Sequence, residues 1–327
     1  MHNSLKISKN QTETNLWYIR IREKGVCKMV LKLEHVTKKF GQFTAVNNLS
    51  LTIPEKEMFG FLGANGAGKT TTFRMILGLL DSSAGRISWD DQRIDYSTSH
   101  LVGYLPEERG LYPKLKVRDQ IVYLARLRGM QKTEAIVELK SWLERFKIQD
   151  YENKKVEELS KGNQQKIQFI AAVVHKPKLL ILDEPFSGLD PVNVEMLKEA
   201  VLTLKENGAT IVFSSHRMDH VEEMCEHLCI LQKGSPVVSG TLKDIKREFG
   251  KKNLVIYADF TLDFLKNFPG VVKFKVTMEG IHLQIEGEEV AGEILKAIVD
   301  KGFIRKFALE EPSLNDIFIE KVGNSYE

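Results

Sequence analysis

Gly63-Ala64-Asn65-Gly66-Ala67-Gly68-Lys69-Thr70 fits the spacing G-x-x-x-x-G-K-[ST]. Glycine at the fixed positions lets successive backbone N–H groups converge on phosphate oxygens. So short a motif also arises by chance as a glycine-rich turn, and its setting decides between the two readings. Residues 57–62 read as a short apolar strand, and residues 70–77 as the first turns of a helix whose positive end faces the loop. Strand, glycine loop and helix is the order that phosphate binding requires. Lys69 then places a positive charge on the β and γ phosphates of a nucleoside triphosphate, and the Thr70 hydroxyl ligates a magnesium ion.

A chain of 327 residues has room for one large domain and a smaller one. Its 47 basic and 44 acidic side chains leave a net charge of +3, which gives no reason to expect nucleic acid or an acidic lipid surface as partner. The cysteines are odd in number, with Cys27 far in sequence from the pair Cys225 and Cys229. They make no disulfide framework, so a reducing compartment is expected. No apolar run reaches the roughly eighteen residues of a membrane span. Residues 1–28 are polar and lack the apolar centre and cleavage site of a secretion signal. Met29 directly precedes the first patterned strand, so residues 1–28 are expected to be an extension to a domain that starts at 29. The alternative is an extra element packed through Leu16, Trp17 and Ile19.

Strands are expected at 31–36 and 44–53, with a turn at Lys38-Lys39-Phe40-Gly41 between them. Phe40 could stack on an adenine ring or be an edge-of-sheet aromatic, and spacing leaves both open. A strand at 101–105 runs into Pro106-Glu107-Glu108-Arg109-Gly110-Leu111-Tyr112-Pro113. From 117 to about 177, apolar residues at helical spacing, such as Ile121, Leu124, Leu139, Trp142 and Phe146, mark a mostly helical insert. It contains Leu159-Ser160-Lys161-Gly162-Asn163, which by itself reads as a helix start. Leu179-Leu180-Ile181-Leu182-Asp183-Glu184 is the apolar run of a buried parallel strand ending in two carboxylates. At the carboxyl end of such a strand Asp183 is placed to hold magnesium and Glu184 to orient an attacking water. Ser187-Gly188-Leu189-Asp190-Pro191 turns into a helix at 192–205, and a strand at 209–215 ends at His216, within reach of a phosphate oxygen. A helix is expected at 219–228 and a strand at 229–231. His220, Cys225, His227 and Cys229 lack a C-x-x-C pair and point apart across that transition, so zinc is not expected. A helix at 241–249 ends the first domain. Beyond it, short strands and helices form an α+β unit with no concentration of catalytic types.

These pieces in this order resemble the nucleotide-binding subunit of ATP-binding cassette (ABC) transporters across residues 31–242. The phosphate loop alone fits many enzymes; its combination with 159–163, Asp183-Glu184 and 187–190 looks like this superfamily. The implied fold is α/β, a P-loop NTPase cassette over 29–249 with antiparallel edge strands and a helical subdomain at about 115–177, plus a small α+β accessory domain over 250–327. The resemblance implies that ATP is bound by Phe40, by Gly63, Ala64, Asn65, Gly66, Ala67, Gly68, Lys69, Thr70 and Thr71, and by Ser160, Gly162 and Asp190. It implies that Thr70, Glu107 and Asp183 serve Mg2+, and that Glu184, His216 and Lys69 carry hydrolysis. It further implies a second nucleotide-binding domain, as a homodimer, with Ser160 and Gly162 meeting the phosphate held by the partner copy. A separate integral-membrane permease is implied at the cytoplasmic face of the membrane, docking near 107–113 and the helical insert. Lys161 and Asn163 depart from the usual signature L-S-G-G-Q, and Glu107 stands where a glutamine is usual. The segments 105–112, 159–166 and 309–318 look most like the sodium-exporter subgroup, which makes sodium one candidate cargo beside peptides, drugs or lipids. The rivals are a soluble ABC-type ATPase, which usually carries two cassettes or a long coiled coil, and a nucleotide-dependent scaffold without useful turnover. Glu184 argues against the second.

Overall fold

A computed structural model describes residues 30–108 and 110–323 of the chain. The expected extension 1–28, with Leu16, Trp17, Ile19 and Cys27, and also Arg109, lie outside the described residues. The chain divides into two compact units, one through Gly240 and one from Thr241.

In the first unit β1 (Leu31–Phe40), β2 (Phe43–Ile53) and β4 (Ala84–Trp89) make an antiparallel sheet of order β2-β1-β4. A second sheet, of order β5-β6-β7-β3-β8-β9, joins β3 (Met58–Leu62), β5 (Val102–Leu105), β6 (Leu179–Asp183), β7 (Thr210–Ser215), β8 (His227–Gln232) and β9 (Ser235–Thr241). The ladders among β5, β6, β7, β3 and β8 are parallel. β3 and β6 are buried along their whole length, because both faces of a parallel sheet are covered and every position must be apolar or paired. Helix α1 (Lys69–Ile76) lies in a core shared by the two sheets. Phe61 of β3 meets Phe73 of α1 edge to face at 5.5 Å.

The insert supplies α2 (Val117–Leu127), α3 (Lys132–Arg145) and α4 (Lys161–Val173). Trp142, Phe146 and Phe169 pack with ring centroids 5.7–5.9 Å apart and hold α3 against α4. The end of α4 also rests on the parallel sheet: a Cβ on Gly103 of β5 would lie 2.3 Å from Ala172 O. Helices α5 (Pro191–Glu206) and α6 (Met218–Met224) complete the unit.

Two expectations shift within this unit. β1 runs on to Phe40, and the turn is Gly41-Gln42 with Phe40 paired to Phe43. Irregular register between Leu33 and Lys39 breaks the alternation by which the sequence marks a strand. The helix expected over 219–228 stops at Met224, Cys225 is extended, and His227–Ile230 pair in parallel with Phe59–Leu62. The sheet ladder overrides the helical pattern there.

The second unit joins α7 (Leu242–Phe249) to an antiparallel sheet of order β11-β12-β10-β13, made of β10 (Lys252–Ala258), β11 (Val271–Val276), β12 (Ile281–Ile285) and β13 (Ile304–Glu310). Helix α8 (Glu288–Ile298) buries Ala291, Ile294 and Ile298 against Leu254, Ile256 and Leu283. The unit begins ahead of the expected 250, because α7 contacts the last helix, α9 (Leu314–Val322). Thr241 starts α7 as its cap, accepting from Asp244 N at 3.0 Å. Among the described residues no helix is long and apolar enough to cross a membrane.

Gly60 is where α6 closes on the strand that leads into the glycine loop. A Cβ there would lie 2.6 Å from Val221 Cγ1 and 3.1 Å from Cys225 Sγ. Gly60→Ala is expected to lower unfolding free energy by about 1–3 kcal/mol through overpacking. Val221→Ala in that background is expected to recover part of it, both read from urea midpoints.

Candidate functional site

β7 carries Ser215 opposite Leu62 of β3 and Ser214 opposite Asp183 of β6. The carboxyl ends of three buried strands therefore meet at one edge, the place where open α/β sheets bind ligands. The chain leaves β3 through Gly63, Gly66 and Gly68, at φ of 156°, 79° and 107°, which residues with a Cβ rarely adopt. Space is short as well: a Cβ on Gly63 would lie 2.7 Å from Leu231 O, and one on Gly68 2.6 Å from Ala45 O. Ala67 N donates to Ala64 O at 3.1 Å and closes the loop. Gly68 starts α1, so the free N–H groups of its first turn open into the loop, with Thr70 and Thr71 half-buried beside them.

Lys69 is 7% exposed. Its Nζ donates to Gly63 O at 2.6 Å and Ala64 O at 3.4 Å, and lies 3.8 Å from Glu184 Oε1. Asp183 is fully buried. Ser214 Oγ donates to Asp183 Oδ1 at 2.5 Å and accepts from Glu184 N at 3.0 Å, joining both carboxylate residues to β7. Asp183 Oδ2 has no hydrogen-bond partner; leaving such an acceptor unpaired costs about 1–3 kcal/mol, more when it is charged. It is an oxygen suited to a cation. Glu184 sits at φ 50°, a left-handed conformation uncommon outside glycine. Its Oε2 meets His216 Nδ1 at 2.9 Å. Burial pushes the Glu184 carboxyl above its ordinary value, against the opposing charges of His216 and Lys69. The His216 side chain is 55% exposed, so the cluster is open on that side.

Glu107 stands on the loop after β5, just beyond Leu105, whose partner in β6 is Leu182. It is exposed. Beside it the Tyr104 phenol is pushed up to about 12, first by burial and then by the charge of Asp183. Ser160 caps α4, its Oγ accepting from Asn163 N at 3.4 Å. A Cβ on Gly162 would lie 3.4 Å from Asn193 Nδ2 and 3.7 Å from Leu189 Cδ2. Asp190 caps α5, accepting from Asn193 N at 3.0 Å, a bond that lowers its carboxyl. Residues 160–162 and the turn at 189–193 thus form one surface. Phe40 is half-exposed, with Lys38 Nζ 5.0 Å from its ring centre. The glycine loop, Lys69, Asp183, Glu184 and His216 come together in one cluster. Among the described residues, no hydrogen bond or ion pair joins Glu107, Ser160, Gly162 or Asp190 to it.

Known proteins resemble this chain along most of its length. The family described as ABC transporter matches residues 46–187, and that described as ATP-binding protein DrrA1-3-like, C-terminal domain, matches 240–322. The ABC transporter ATP-binding protein YhaQ of Bacillus subtilis (strain 168) is 67% identical over 298 residues, covering 91% of this chain and 100% of that protein. The chain belongs to the ABC transporter ATP-binding family. Nod factor export ATP-binding protein I of Burkholderia lata is 30% identical over 306 residues, covering 91% and 98%. A solved ATP binding subunit of an ABC transporter superposes with a TM-score of 0.64 at 30% identity, covering 68% of this chain and 93% of that one.

Cassettes of this family bind and hydrolyse ATP, and generally dimerise and work with membrane permease components. Sequence reasoning missed Ser214, which bridges both carboxylate residues of this cassette. Its one signal is position, a serine in register with the acidic end of β6. Among the described residues no group of three or more His, Cys, Asp or Glu side chains could hold a metal by itself. His220 packs on Phe186, and burial pushes the thiols of Cys225 and Cys229 up, Cys229 to about 12.

The raised Glu184 carboxyl fixes a pH dependence. The native state holds its proton to higher pH than the unfolded chain, so stability falls as pH rises from about 4.5 through the folded value, and the loss is complete above it. Glu184→Gln has no such loss. The nucleotide-free variant is expected to unfold at higher denaturant than the parent at neutral pH, with the gap closing as pH falls to 4.5. Urea titrations across that range check it.

Proposed function

We propose that this chain is the ATP-hydrolysing subunit of an exporter, driving a separate integral-membrane permease through a two-copy clamp that closes on ATP. The observation that carries the reading is the convergence of Lys69, Asp183, Glu184 and His216 at the glycine loop. Here the β and γ phosphates replace the Gly63 and Ala64 carbonyls as partners of Lys69, and Phe40 stacks on the adenine. Glu184 accepts the proton of a water that attacks the γ-phosphorus in line. The bond to the bridging oxygen breaks and ADP leaves with that electron pair. Lys69 and His216 offset the charge on the transferring group.

Magnesium fits the donor set. Asp183 Oδ2 is buried and unpartnered, Thr70 offers a hydroxyl, and Glu107, just beyond β5, would offer a carboxylate at the same edge; all are hard oxygen donors. Bound there, the ion would neutralise charge on the β and γ phosphates.

Ser160, Gly162 and Asp190 act on the nucleotide of the second copy in a homodimer. Supporting this, they form one surface and, among the described residues, make no hydrogen bond to the glycine loop of their own chain, while the start of α4 offers free N–H groups to an anion. The permease docks near 107–113 and the helical insert at the cytoplasmic face. Export is the activity named for the Burkholderia lata relative. Cargo is chosen by the permease; sodium is the candidate drawn from the subgroup resemblance, testable as sodium efflux from cells carrying both subunits.

Glu184→Gln is expected to lower kcat by about 10²–10⁴-fold, the range for losing a general base, and to leave a persistent ATP-bound dimer on size exclusion. Parental turnover with no such dimer would overturn the mechanism. Lys69→Ala and Ser160→Arg are each expected to abolish turnover. Mixing the two is expected to restore part of it, since the mixed dimer has one intact site; no recovery would count against a site built from two copies.

A further inference from the structure

Helix α4 carries a buried amide that the chemistry above does not use. Gln168 is 4% exposed. Its Nε2 donates to Pro106 O at 3.1 Å and to Glu108 O at 3.0 Å, gripping the backbone on both sides of Glu107. No backbone N–H donates to either carbonyl among the described residues, and this side chain donates to both. The Gln168 Oε1 atom has none, and the amide is oriented by its donor end alone.

The same helix begins at Ser160 and ends against β5 at Gly103. A helix transmits displacement along its axis, and Gln168 lies about two turns from the Ser160 end. We infer that Gln168 is a positioning residue that couples the Glu107 loop to the helix bearing Ser160 and Gly162, so that movement at one end of the clamp moves Glu107 at the end of β5. The inference rests on the roles proposed above for Ser160 and Glu107. The coupling is a direct hydrogen-bonded link between two segments. It gives a route by which closure on ATP reaches the segment proposed to face the permease.

The test uses the full chain with Gln168→Met, which keeps the volume without a donor, and Gln168→Glu, which sets an acceptor against the two carbonyls. Nicking by a glutamate-specific protease after Glu107 and Glu108 reads the loop, thermal unfolding reads the fold, and steady-state ATPase reads function. Both variants are expected to nick about tenfold faster than the parent with the unfolding transition retained. Turnover is expected to fall about tenfold with KM for ATP unchanged, since Phe40 and the glycine loop are untouched. Parental nicking in both variants would overturn the coupling, as would faster nicking with parental kcat. Loss of the unfolding transition in both would also overturn it, making Gln168 a core residue instead. Parental turnover in Glu184→Gln would remove the hydrolysis mechanism while leaving the nicking result standing, so the two failures can be told apart.

Discussion

A buried ammonium at Lys69 sets the terms for the architecture around it. A charge taken out of water must find compensating dipoles or a counter-charge, or it will not stay charged. Here two loop carbonyls and the Glu184 carboxylate supply both. The carbonyls can turn inward because Gly63 and Gly68 occupy backbone conformations and spaces that no Cβ fits. The carboxylate is delivered by β6, which reaches the edge of the sheet one strand beyond β7. A parallel ladder that brings β3, β7 and β6 to a common end is therefore as necessary to the site as the motif that names it. Phosphate oxygens, offered the same ammonium, are better partners than neutral carbonyls, so the resting contacts suit exchange for a ligand.

Much of this was legible in the chain itself, for reasons that differ from residue to residue. The glycine loop was readable because its spacing and its strand–helix setting are local. Asp183 and Glu184 were readable because a buried strand cannot end in two carboxylates without a use for them. Ser214 was not, since its role exists only through register with a strand some thirty residues away in sequence. Gln168 was hidden for the same reason: on a helical wheel it is one more polar side chain, and its partners lie sixty residues back. The end of α6 departs from the sequence pattern because pairing with β3 claims residues whose own pattern is helical. The errors gather where long-range hydrogen bonding decides what local pattern leaves open.

Ser160 shows how a bland reading and a functional one can both hold. It is the cap of α4 by its own hydrogen bond, and capping is sufficient reason for a serine there. Yet the cap is exposed, Gly162 lets Asn193 and Leu189 approach closely, and Asp190 caps α5 on the same surface. Two helix starts side by side make a surface rich in N–H donors, which suits an anion brought by another molecule. The departures at Lys161 and Asn163 change its charge and shape without removing the hydroxyl or the glycine.

The open side of the cluster bears on how Glu184 could serve as a base. Its carboxyl is raised by burial while His216 and Lys69 pull it back, and a base is most effective when its proton affinity lies near the working pH. Bringing phosphate against the glycine loop adds negative charge and draws the Lys69 ammonium toward the ligand. Covering the exposed His216 removes water. Each change favours the protonated form of Glu184. In the proposed clamp, closure by the second copy therefore strengthens the base at the moment substrate is enclosed, and reopening weakens it. In that clamp the exposed active edge of an isolated subunit leaves Glu184 the weaker base, and closure is what raises turnover.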